Sequence, residues 1–117
     1  MRSRPLAFQG IHQDNCSFDA TTEIPPEGAV LIAAAHGQSD ANGNWTAVRV
    51  TVTNLDTGGV RTGNRQNDSE DVELVMIVRE SGRYRVQAVR SNFREACVET
   101  IVAGRTMPGG FFEEDGD

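Results

Sequence analysis

The chain has 117 residues, enough for one domain and too few for two. Its 38% hydrophobic and 24% charged residues supply a real core and set it apart from core-poor disordered chains. Eleven basic residues, all arginine, against seventeen acidic ones give a net charge of −6, which disfavours binding to nucleic acid or to an anionic membrane surface. No apolar run reaches the length of a membrane span, and the stretch after Met1-Arg2-Ser3-Arg4-Pro5 breaks off before forming a secretory signal.

Helical periodicity is nearly absent, and short Val-rich runs separated by Gly, Asn, Asp and Pro predict an all-β chain. The first strand is expected over Cys16–Ile24 and is stopped by Pro25-Pro26. Ala29–His36 follows and is apolar on both faces, the pattern of a strand covered on two sides. Gly37–Asn44 is a polar loop containing Asn42-Gly43, a tight-turn dipeptide. From Thr46 to Asn54 the alternation of Val48, Val50 and Val52 with polar or small residues defines a strand with one wet face. Thr57–Thr62 is a short edge strand and Gly63–Asp71 a polar loop. Val72–Arg79 carries apolar residues on its second face too, as a central strand or a contact face would. Tyr84–Val89 and Ala96–Val102 complete seven strands.

Seven short alternating strands between Cys16 and Gly104 predict a two-sheet antiparallel β-sandwich at 16–104. Flanking it are an extended N-terminal arm (1–15) and an acidic C-terminal tail (105–117). The run Glu80-Ser81-Gly82-Arg83-Tyr84-Arg85-Val86 resembles the entry to the sixth strand of immunoglobulin-like domains, where a tyrosine two residues before a cysteine caps the corner. Val86 stands in place of that cysteine. Ile32 and Trp45 lie near the spacing of the other core markers, so the resemblance implies an Ile32–Val86 contact where the family has its inter-sheet disulfide. It points to the disulfide-free versions found in tailed-phage virion proteins and bacterial surface proteins. Trp45 has the wrong parity for this match, and Asn42-Gly43 invites a hairpin between strands that the immunoglobulin topology separates, which keeps a jelly roll open as the alternative.

Two cysteines, Cys16 and Cys97, are too few for a disulfide scaffold; they either pair or merely pack. Asp40-x-Asn42-x-Asn44 begins like a calcium loop but has Trp45 where glycine and Thr51 where glutamate are needed, so a polar turn accounts for it. His12 and His36 have no ligand or relay spacing, and no Gly-x-Ser-x-Gly elbow is present, so neither catalytic residues, nor metal, nor cofactor is expected. The acidic runs 68–71 and 113–115 can pair with arginines of a neighbouring copy, Arg83, Arg85, Arg90 and Arg94 among them.

The apolar residues outside the strand pattern, Leu6, Phe8 and Ile11 at one end and Phe111 and Phe112 at the other, need a partner and are the expected assembly contacts. The expected role is that of a non-enzymatic structural protein of a symmetric assembly, a virion surface or capsid decoration protein, bound to copies of itself or to a capsid or tail protein. The alternative is a cell-surface or carbohydrate-binding adhesion module contacting a host-surface glycan.

Overall fold

A computed structural model describes residues 2–38, 46–67, 71–92 and 96–108. They form eight strands: β1 (Phe8–Gln13), β2 (Ser17–Ile24), β3 (Ala29–Gln38), β4 (Thr46–Asn54), β5 (Val60–Asn67), β6 (Asp71–Val78), β7 (Gly82–Asn92) and β8 (Ala96–Thr106). All pairings are antiparallel. A five-stranded sheet has the order β1-β2-β7-β4-β5 and a three-stranded sheet the order β6-β3-β8. Only β1–β2 and β4–β5 are both sequential and paired; every other connection crosses between the sheets.

The core lies between the sheets and follows from two-residue alternation. Phe18, Ala20 and Ile24 of β2, Val48, Val50 and Val52 of β4, and Tyr84, Val86 and Ala88 of β7 point inward from one sheet. Ala29, Leu31, Ala33 and Ala35 of β3 and Val72, Met76 and Val78 of β6 meet them from the other. At the β2–β3 turn, the Gly28 N–H donates to the Pro25 carbonyl at 2.9 Å. Gly28 has a φ of +85°, and a Cβ there would lie 2.8 Å from the Val78 carbonyl oxygen, so only glycine fits this turn.

Several sequence-based expectations are corrected. The described residues form eight strands where seven were expected, because Phe8–Gln13 is not part of an arm but the edge strand beside β2. The expected loop from Gly63 is strand as far as Asn67: β5 is so exposed that no apolar alternation marks it, and its backbone ladder to β4 forms the strand. β3 and β4 belong to different sheets and do not pair with each other as a hairpin would require; Asn42 and Gly43 themselves lie outside the described residues. The disulfide-free immunoglobulin resemblance fails as well. Cys16 and Cys97 form a disulfide with a Cα–Cα separation of 5.3 Å. An immunoglobulin sandwich would place β2 beside β3 and β8 beside β7; here β2 lies beside β7 and β8 beside β3. The implied Ile32–Val86 contact is absent because Ile32 sits on the outward face of β3, one residue out of phase with the core.

Candidate interaction face

Both sheets have an outward face, and the two differ in chemistry. On the five-stranded sheet the outward positions are mainly hydroxyl, amide and charged: Thr21, Gln87, Thr51 and Thr62 lie along the middle, with Arg85 beside Thr21 and Thr53. Arg85 clasps Asp19 through Nε at 3.0 Å and Nη2 at 2.6 Å. That hydrogen bond holds the Asp19 carboxyl below the usual carboxylate range and raises the guanidinium further. His12 lies directly across from Asp19. Val60 and Val89 are isolated apolar side chains on an otherwise ordinary solvated surface.

The outward face of β6-β3-β8 is built differently. Cross-strand register places its side chains in four rows: Ile77, Val30 and Arg105; Val75, Ile32 and Ala103; Glu73, Ala34 and Ile101; Asp71, His36 and Glu99. The first three rows contain one contiguous apolar group. Its large members remain open to solvent, with fractional exposures of 53% for Val75, 37% for Ile32, 36% for Ile77 and 39% for Ile101. Two-sided apolar strands are expected where both faces are covered, yet among the described residues nothing covers this one.

The ends of the face carry opposite charge. At the far row, His36 Nδ1 bonds Asp71 Oδ1, and the pair lines an open recess with Glu73, Glu99 and Asn67. At the near row, Arg105 donates to Ser3 through Nε and Nη2, both at 3.0 Å, and Arg79 continues the outward row of β6. Arg61 reaches from β5 to donate Nη1 to the Ile77 carbonyl at 2.7 Å. Arg4 pairs with Glu27 at 3.8 Å close by. Six residues separate the end rows, about 20 Å along the strands.

The expected contact residues fall elsewhere. Leu6 and Phe8 pack against their own core, Phe8 edge-on to Phe18 at 5.5 Å between ring centroids. Ile11 is exposed on β1, and Phe111 and Phe112 lie outside the described residues. So do Trp45, Asp40, Asn42, Asn44, Arg94 and both acidic runs except Asp71. Arg90 is not available to a neighbouring copy: it is buried on the inward row of β7, with Nη2 near the Thr46 hydroxyl. His36 does stand beside carboxylates in the fold, which chain spacing could not show. Among the described residues, no three His, Cys, Asp or Glu side chains are arranged to hold a metal ion.

No protein-family model matches the chain, and no curated protein matches it. Among solved structures it is similar to TmCBM61, determined in complex with β-1,4-galactotriose, at 14% identity and a TM-score of 0.41 over 89% of this chain and 83% of that one. A likeness at that level concerns general architecture and carries no argument about a site.

Proposed function

We propose that this chain is a non-catalytic contact module that works by docking the outward face of β6-β3-β8 against another protein surface. The carrying observation is the contiguous exposed group Ile32, Val75, Ile77 and Ile101. Threonine would serve the strands nearly as well at these positions and would keep the surface wet. Fold stability therefore gives no reason for isoleucine and valine there, whereas exclusion of water at an interface does. The Cys16–Cys97 disulfide supports work outside a reducing cytosol, on a particle surface such as a virion or on a cell surface.

A second reading rests on the other sheet. The array of Gln87, Thr51, Thr62 and Thr21 offers neutral hydrogen-bonding groups of the kind that recognise sugar hydroxyls, although the described part of that face has no aromatic platform.

A photo-cross-linking residue placed at position 75, and separately at position 51, in the producing organism separates the two. The contact module gives a discrete protein adduct from position 75 and none from position 51. No adduct from 75 overturns it. Oligosaccharide-induced shifts in the amide spectrum at Thr51 and Gln87, without change at Val75, establish the sugar-binding reading in its place.

A further inference from the structure

Granting that the β6-β3-β8 face is a docking surface, we infer that its occupant is a second copy of this chain, stacked face to face about a two-fold axis that runs across the strands. The charge gradient on the face selects both the partner and the axis. An axis parallel to the strands would set acidic end on acidic end, with Asp71 and Glu99 of each copy opposed, and is repelled. An axis across the strands reverses the gradient: the row holding Arg105 then faces the row holding Glu99 of the partner subunit, and the apolar middles meet.

By symmetry that pair occurs twice. The two sheets run antiparallel, within the strand alignment that face-to-face sheets adopt, about 30° and 10 Å apart. An isologous contact of this kind closes on itself and occupies this apolar face in both copies, so the face does not propagate a filament.

The size of the face sets the strength. Four rows on three strands span about 400 Å² of flat sheet per copy. Two such faces bury roughly 1,000 Å² of accessible surface, at the lower limit of specific interfaces, so the dimer is weak and dissociates in the micromolar range. The polar five-stranded faces then point outward on opposite sides.

Sedimentation velocity of the full chain over a concentration series tests this, with Glu99→Arg, Arg105→Glu and the double reversal, each checked for native circular dichroism. Expected is a concentration-dependent dimer that either reversal weakens about tenfold or more and the double reversal restores to within about threefold. Arg105→Glu also removes the Ser3 bonds, so Glu99→Arg is the cleaner single change. Ile32→Thr, at the centre of the face, weakens the dimer without altering charge. A chain that stays monomeric to about millimolar concentration, a dimer indifferent to all four variants, or a double reversal no better than the singles overturns the inference. The mass of the position-75 adduct keeps the two claims apart: twice the chain mass supports self-association, another mass overturns it while the contact module stands, and no adduct removes the contact module itself.

Discussion

Tyr84 is the only tyrosine, and its hydroxyl fastens the corner between β6 and β7. It donates to the Glu80 carbonyl at 2.7 Å and accepts from Asn54 Nδ2 at 3.2 Å. Asn54 is itself buried, and its Oδ1 takes the N–H groups of Asp56 and Thr57, so this one hydroxyl joins two turns. Tyr84→Phe leaves the Asn54 amide and the Glu80 carbonyl each without this partner and costs about 1–2 kcal/mol, measurable by urea unfolding. Burial also raises the Tyr84 phenol above its ordinary 10.0, since the charged phenolate is poorly solvated there. A folded-state value above the unfolded one means that the contribution to stability is full below about pH 10 and is lost as pH rises through the folded value. With one tyrosine present, ultraviolet titration of the phenolate reads it directly. A midpoint at the unfolded value, or a neutral Tyr84→Phe, removes the corner role.

At the scale of elements, the N-terminal segment shows how far alternation can be read. The Leu6 N–H donates to the Gly104 carbonyl and the Thr106 N–H to the Arg4 carbonyl, both at 2.8 Å, so residues 4–6 extend the three-stranded sheet at the β8 edge before β1 joins the other sheet. Gly104 makes this possible, because a Cβ there would come within 2.6 Å of Leu6 Cδ1 and 2.9 Å of Leu31 Cδ2. Gly104→Ala is expected to cost about 1–3 kcal/mol, since buried Leu31 cannot yield. It also speeds amide exchange at Leu6 and Thr106 relative to β4; unchanged exchange there would show that the segment does not depend on the close approach. None of this pairing is legible in Leu6-Ala7-Phe8, which lacks a repeating period, whereas Val48, Val50 and Val52 announce β4 outright. The same rule explains the contact face. Ile32, Val75 and Ile77 are visible in the sequence as a second apolar face, but only the pairing of β3 with β6 and β8 shows that they form one surface and that it stays open. The charge gradient needed the register too, since His36, Asp71 and Glu99 are far apart in the chain and meet in one row.

At the scale of the whole molecule, the chain closes on its last strand at both ends. Residues 4–6 hold the C-terminal half of β8, and the corner after β1 holds its beginning: Gln13 Nε2 donates to the Thr100 carbonyl at 2.7 Å, and the Thr100 hydroxyl donates to the Asn15 carbonyl at 3.0 Å. The Asp14 carboxylate accepts from the Cys16 N–H at 2.8 Å and the Ser17 hydroxyl at 3.0 Å, which fixes the turn that presents Cys16 to Cys97. The disulfide thus joins the two sheets at a corner that hydrogen bonds already shape, across 81 residues of chain. Closing a loop of that length removes denatured-state entropy worth about 4–5 kcal/mol, a large part of the 5–15 kcal/mol typical of a domain. Cys16→Ala with Cys97→Ala, or reduction of the native chain, should lower the unfolding free energy by that amount, with a lower urea midpoint and a steeper dependence on urea, since the uncrosslinked denatured chain is less compact; the residue 4–6 pairing and the Thr100 bonds remain to hold β8 in register. The weak dimer persists in the double alanine variant at temperatures where it stays folded, since Ile32, Val75 and Glu99 lie on the outward face and owe their positions to strand pairing. A urea midpoint that does not move on reduction would mean that the hydrogen-bonded corner alone closes the sandwich, and would withdraw the support that the disulfide lends to a setting outside the reducing cytosol.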